Sequence, residues 1–321
     1  MQAHAHVVEM DHPQLQYPFL ALLISGGHTE LWLVRAQSEC VVLSETADDA
    51  VGEAYDKVAR AIGVVRLEGE SPGAAVERMA RQATQASRFS FPLLKHDNTE
   101  FSFAGLKAAV QRVVLQLRAD MAPEEAAHED ASANAEGTAR LRRTPAGLLS
   151  NATISSLMKE LRDQQGLVKQ AVYIPASDSL LALLPELPDA TKADLCAAFE
   201  KSVCHQLTTR TLLAIHNAKL LQSDLSMPPV TQLVVGGGVA CNGTIQSALR
   251  QSCEPHGISV LSPRRLHCMD NGIMIAFLGQ KMMQQGHSDP YELLFHTRWP
   301  IGAKHPMQLP PPASASKQPT R

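Results

Sequence analysis

The sequence holds no CxxC pair, no apolar run long enough to cross a bilayer and no surplus of positive charge. Each absence closes off a class of protein. Six cysteines, Cys40, Cys196, Cys204, Cys241, Cys253 and Cys268, lie scattered without regular spacing. A disulfide framework is excluded on that pattern, and the thiols read as small hydrophobes in a reducing compartment. Without an apolar span, no membrane insertion is expected. Neither a basic-then-apolar leader nor an Arg-rich, acid-poor transit segment stands at the start. Lys and Arg number 29 against 32 Asp and Glu, a formal net charge of −3. That balance argues against a surface coated in positive charge for nucleic acid and leaves a local basic patch open. GxGxxG, GxxxxGK[ST] and HExxH are all missing, which removes the usual dinucleotide, Walker and zincin readings. No Ser/His/Asp or Cys/His nucleophile can be read, so no side chain is assigned a catalytic role.

What is present is enough to fold. The chain has 321 residues, 45% of them hydrophobic, which suits one large domain or two lobes. "PFLALLISGGHTELWLVRA" predicts two strands split by Ser25-Gly26-Gly27-His28. "DDAVGEAYDKVARAIGV" has helical spacing with acids first and bases later, and a Ser-Pro-Gly break precedes a second helix at "SPGAAVERMARQA". "FSFAGLKAAVQRVVLQL" reads as an amphipathic helix. From about 123 to 144 the composition turns to Ala, Glu, Asp and Gly, the pattern of a solvated insertion. Helical patterning returns in "DLCAAFEKSVCHQL". "TQLVVGGGVACNGTIQSALRQ" and "GISVLSPRRLHCMDNGIMIAF" then read as strand–loop–helix units, which indicate an α/β fold. The Pro/Ser/Ala-rich tail is expected to be flexible.

Several segments carry two readings each. Gly236, Gly237 and Gly238 after a strand make either a cradle for a phosphate or ribose, with Asn242 supplying a directed hydrogen bond, or a packed turn with Asn242 as helix N-cap. Ser25, Gly26 and Gly27 make either a phosphate wrap or a hairpin turn. Two such loops in one chain favour a nucleotide held between them. Asp56 is either a surface carboxylate or an acceptor for ligand hydroxyls. Asp270 either caps the helix that follows or ligates a divalent metal. His267 reads as solvated, and His4 and His6 form an HxH pair on an end expected to fray.

In order, "LLISGGHTELWLV", "VGEAYDKVARAIG", "FSFAGLKAAV", "VVGGGVACN", "CMDNGIMIAF" and "RWPIG" resemble the universal tRNA threonylcarbamoyl transferase family, with a style closer to its bacterial and mitochondrial branch. The resemblance implies an α/β, duplicated-lobe, actin-like ATPase fold. It implies transfer of a threonylcarbamoyl group from threonylcarbamoyl-adenylate to the adenosine amino group beside the tRNA anticodon. By resemblance, Leu23, Ile24, Ser25, Gly26 and Gly27 line the adenylate site, Asp56 meets the ribose, Asn242 the nucleotide, and Gly73 of the Pro72-Gly73-Ala74 turn the sugar. The family turn usually ends in a second glycine where Ala74 stands. His4 and Asp270 match ligands of one divalent metal ion, Fe or Zn. The other histidine of the family's HxxxH would fall just before Met1, so most of the first lobe, on the order of a hundred residues, is expected upstream. The implied division is 1–17 as a remnant of that lobe and the metal-motif helix, 18–304 as the nucleotide-binding lobe with an insertion around 118–190, and 305–321 as a tail. The expected partners are tRNA and either proteins of a modification complex or a second copy, with no membrane. The expected compartment is mitochondrial by branch, cytoplasmic otherwise. A small-molecule kinase or ATPase and a non-catalytic binding fragment are the competing readings.

Overall fold

The computed structural model describes residues 1–91, 100–121, 184–225 and 228–287. Most of the insertion expected around 118–190, its 123–144 stretch included, and the tail lie outside them.

Five strands form one mixed sheet in the order β3-β2-β1-β4-β5. Strands β1 (Phe19–Ile24), β2 (Thr29–Ala36) and β3 (Glu39–Glu45) make an antiparallel meander. β4 (Gln232–Gly236) runs parallel to β1, and β5 (Ser259–Leu261) runs parallel to β4. All six residues of β1 are buried, which follows from a central strand covered on both faces. Leu20, Leu22 and Ile24 join the main core with the helices. Phe19, Ala21 and Leu23 face the other way, against Trp32, Val34, Ala5 and Val8. β3 is the polar edge strand, and its pairing with β2 slips at two irregularities, the usual blunting of an edge.

The main helical layer is α2 (Val51–Ile62), α3 (Pro72–Ala80), α4 (Ala104–Asp120), α5 (Asp189–Leu225) and α6 (Gly243–Cys253). The starts of α2, α3 and α4 each have an anchor for the free N–H groups of a first turn. Thr29 Oγ1 accepts from Val51 N–H at 2.8 Å. Ser71 caps α3 with Pro72 at its first position, where the ring is pre-set for a helix. Asp48 accepts from Phe103 N–H at 2.8 Å and Ala104 N–H at 3.2 Å.

The N-terminal hexapeptide differs from the frayed end expected. It forms a short helix, α1 (Gln2–His6), continued by a 3-10 turn, with His4 and His6 both buried. Sheet burial explains the order: Ala5 and Val8 complete the second core, so the segment docks on the sheet. His6 is bonded to Glu9 at 3.0 Å and sits near Tyr17 Oη at 3.3 Å, while Glu9 also pairs with Lys281. Asp11 holds Arg264 through its backbone N–H and guanidinium, and takes His267 Nδ1 at 3.0 Å. His267 is therefore a buried structural partner, not a solvated loop residue.

After the short helix α7 (Arg265–Cys268) comes α8 (Gly272–Gln284), which packs on α1 through Met274 and Leu278. Ile273, Ile275 and Met283 of the same helix are exposed, as are Leu266 and Met269 before it. No helix among the described residues is long and apolar enough to cross a membrane.

Candidate functional site

Strands β1 and β4 run parallel and end side by side, and it is outside such carboxyl ends that open α/β sheets bind ligands. The Gly236-Gly237-Gly238 turn is the hub there. A Cβ on Gly237 would lie 2.3 Å from the Ile24 carbonyl oxygen, and its φ of +95° is one that side chains resist. A Cβ on Gly236 would lie 2.8 Å from the His4 carbonyl oxygen, and one on Gly238 would lie 3.8 Å from Met269. Contacts at these three glycines thus draw β1, α1 and the segment before α8 onto one point.

At that point His4 Nε2 lies 2.8 Å from Asp270 Oδ1, across 266 residues of sequence. The carboxylate accepts, so this contact is a hydrogen bond in the tautomer protonated at Nε2, whereas a metal ion would take Nε2 in the tautomer protonated at Nδ1. The histidine side chain is 5% exposed and that of Asp270 93%. His4 Nδ1 is buried without a hydrogen-bond partner. The cap of α8 is Asn271, whose Oδ1 accepts from Met274 N–H at 3.0 Å. Asp270 is thereby left to face His4 and solvent. The pair offers one nitrogen and one oxygen donor to a divalent ion, while no group of three or more His, Cys, Asp or Glu gathers among the described residues. His6, held by Glu9 and Tyr17, does not join it.

The second loop is a hairpin turn closed by Ser25 N–H to His28 O at 2.9 Å. Ser25 Oγ accepts from the N–H groups of Gly27 and His28. Gly26 and Gly27 are exposed, with open space where Cβ atoms would project. Leu23 and Ile24 are wholly buried, so they support the turn from beneath. Ser25 O accepts from Gly52 N–H at 3.1 Å, which seats the start of α2 against this turn. Asp56 follows one turn along α2, exposed, with partial burial raising its carboxyl pKa against the opposing pull of Arg60 and Arg66. Gly73 opens α3 over the Tyr55 ring, 3.9 Å from where its Cβ would stand.

Asn242 is the N-cap of α6, its Oδ1 accepting from Ile245 N–H at 2.9 Å. Its Nδ2 donates to buried Glu200 Oε1 at 2.8 Å. Glu77, also buried, accepts from Gly243 N–H at 2.9 Å. Sequence reasoning missed Tyr55, Glu77 and Glu200, because a buried acid on a helix has no distinguishing spacing. It also missed a thiol pair: Cys241 and Cys268 share a hydrogen bond, which with Arg265 nearby lowers the Cys241 pKa, while the same bond and burial raise that of Cys268. The two stand 27 positions apart in sequence and carry no joint signal.

Comparison with known proteins bears on these same residues. A curated tRNA N6-adenosine threonylcarbamoyltransferase of Novosphingobium aromaticivorans is 30% identical over 302 residues, which cover 94% of this chain and 63% of that protein. Its counterpart in Anaplasma marginale is 29% identical over 94% of this chain and 66% of its own length. That of Brucella ovis is 30% identical over 90% and 60%. The chain thus spans less than two thirds of the length of these relatives. A solved structure of full-length HypF in the phosphate- and nucleotide-bound form matches with a TM-score of 0.44 at 12% identity, covering 88% of this chain and 35% of that one; so distant a likeness carries no argument. The family profile described as TsaD, tRNA N6-adenosine threonylcarbamoyltransferase, matches residues 1–277. That stretch includes both glycine turns, His4 and Asp270, and the chain belongs to the TsaD family.

Proposed function

We propose that the chain carries the adenylate and metal half of a threonylcarbamoyl transferase acting on tRNA. The carrying observation is the approach of His4 Nε2 to Asp270 Oδ1, 2.8 Å apart, beside the Gly236–Gly238 turn. Family membership supplies the reaction: the threonylcarbamoyl group passes from threonylcarbamoyl-adenylate to the amino group of the adenosine beside the anticodon. The turn of Ser25, Gly26 and Gly27, seated on Leu23 and Ile24 at the end of β1, lines the adenylate site, where the open space at Gly26 and Gly27 lets a ligand approach the backbone. Asp56 accepts from the ribose hydroxyls, Gly73 gives the sugar room, and Asn242 orders the start of α6 beneath the nucleotide. His4 and Asp270 provide two donors for one divalent ion, iron or zinc, and such an ion polarises a carbonyl under attack. Fixing the leaving adenylate and the carbonyl in one place is the contribution of the remaining residues.

The single five-stranded sheet is one lobe of a duplicated, actin-like ATPase architecture, with residues 1–17 as the edge of the other. Partners follow from the reaction: tRNA, the adenylate, and proteins of a modification complex or a second copy of the chain. The branch resemblance puts the work in a mitochondrion, or in the cytoplasm otherwise.

The test is to incubate the purified chain with threonylcarbamoyl-adenylate, ferrous or zinc ion and unmodified tRNA, then digest and weigh the nucleosides. Threonylcarbamoyladenosine is expected, and it should fall at least tenfold in Asp270→Ala. Binding of AMP without any product favours the non-catalytic fragment. Turnover of ATP with sugar acceptors and none with tRNA favours the kinase reading.

A further inference from the structure

We infer that Glu200 is a positioning residue of the adenylate pocket: its carboxylate orients Asn242 and Tyr55, and so sets α2 and α6 in the register at which Asp56 and the Gly236–Asn242 loop face one ligand. The functional half of this inference rests on the adenylate reading above; the structural half rests on hydrogen-bond geometry alone.

Glu200 points inward from α5 and is 4% exposed. Its Oε1 accepts from Asn242 Nδ2 at 2.8 Å and from the Tyr55 hydroxyl at 3.4 Å. Thr244 adds a side-chain hydrogen bond. Asn242 Nδ2 also lies 3.5 Å from Tyr55 Oη, so side chains from α2, α5 and the cap of α6 close a ring. Asn242 Oδ1 is occupied by Ile245 N–H. The amide therefore has one workable orientation, oxygen to the helix and nitrogen to Glu200. Flipping it would set an NH2 against an N–H and an oxygen against a carboxylate.

Tyr55 carries the same constraint into the neighbouring helices. Its ring stands edge-on to Phe199 at 5.0 Å and lies beneath Gly73. Asp56 is the next residue along the chain. Three residues assigned to the ligand, Asp56, Gly73 and Asn242, are thus joined through two that touch no ligand. An apolar side chain would fill the position without the desolvation cost of a buried carboxylate. Burial indeed pushes the Glu200 pKa up. What the acid adds over a hydrocarbon is direction, since a satisfied buried network admits one arrangement of its members.

AMP is the probe, titrated calorimetrically into the full chain and its variants. Glu200→Gln keeps an oxygen acceptor for Asn242 at equal size, whereas Glu200→Met keeps the volume and loses the acceptor. AMP affinity is expected to hold within about threefold in the first and to fall by roughly tenfold or more in the second. A control, Glu254→Gln on the exposed far end of α6, should not change it. Equal affinity in both Glu200 variants, at the wild-type level or below it, overturns the inference, because packing or charge alone would then explain the residue. If Glu200→Met does not fold, Tyr55→Phe takes its place, and a several-fold loss is expected where wild-type affinity would overturn. If the wild-type chain binds no AMP, the adenylate reading falls, and hydrogen exchange decides the structural half. Faster exchange in the first turns of both α2 and α6 in Glu200→Met (Tyr55→Phe if that variant does not fold) than in Glu200→Gln supports it; identical exchange overturns it.

Discussion

The two glycine-rich turns look alike in sequence and are glycine for opposite reasons. At Gly236 and Gly237 the neighbours demand it: carbonyl oxygens of His4 and Ile24 occupy the space of any side chain. At Gly26 and Gly27 nothing stands within 4 Å of a would-be Cβ, and neither residue has a left-handed φ. The first turn is closed by the protein itself. The second is left open among the described residues, with its backbone exposed. A glycine run therefore says that room is needed without saying whose.

The comparison can be broken most forcefully at Gly237. Gly237→Ala must resolve a 2.3 Å contact at a φ of +95° and should destabilise by on the order of 3 kcal/mol, read as a lower midpoint in urea. If the loss is under about 0.5 kcal/mol, the turn is not closed as described.

Gly236→Ala sharpens the picture, because its obstacle is the docked N-terminal segment. Its cost should shrink when Glu9→Gln weakens that docking, a coupling measurable in a double-mutant cycle. The pH dependence has a definite sign. Burial works to raise the Glu9 pKa, but hydrogen bonds from His6 and Lys281 outweigh it and hold the group at about 2, against 4.5 for the free side chain. A depressed carboxyl contributes stability that is whole above 4.5 and is lost as pH falls toward 2. Acid titration of stability should show that loss in the wild type and not in Glu9→Gln.

A smaller effect is expected at the end of the crowded turn. Cys241, with its pKa lowered by the Cys268 hydrogen bond and Arg265, should alkylate with iodoacetamide at neutral pH ahead of the buried thiols. Cys268→Ser should slow it, as peptide mass spectrometry would show. Smallest of all, Gly26→Ala should leave stability within about 0.5 kcal/mol while weakening AMP binding. A stability loss as large as that of Gly237→Ala would erase the distinction between the turns.

Much of the scaffold was legible because it repeats simple periods. β1, β2, β4 and the helices at 51–62, 72–80 and 104–120 all follow from apolar spacing and a Ser-Pro start. β3 was not legible, since "ECVVLSE" is a polar edge strand whose pairing with β2 defines it. Burial of "QAHAH" was likewise invisible, because the sheet face it covers lies elsewhere in the chain. At the site, local chemistry left two residues with two readings each. Asp270 looked like either a helix cap or a metal ligand, and Asn271 takes the cap role. Asn242 looked like either a cap or a ligand group, and its side-chain oxygen does cap α6. Glu200 and Tyr55 carry the network between them, but 145 residues separate them, and a pattern read along one helix cannot register such a pair.

That kind of separation has its greatest consequence at His4 and Asp270. Closing a loop of 266 residues costs about 5 kcal/mol of chain entropy on the simplest polymer scaling, and one hydrogen bond does not repay it. The contact exists only because the β1–β4 pairing and the docked N-terminal segment have already brought the ends together. During synthesis His4 leaves the ribosome before Asp270 and waits through 266 residues for its partner. The site therefore closes only after the sheet and the docked segment are in place, and any probe that reports it reports that assembled scaffold.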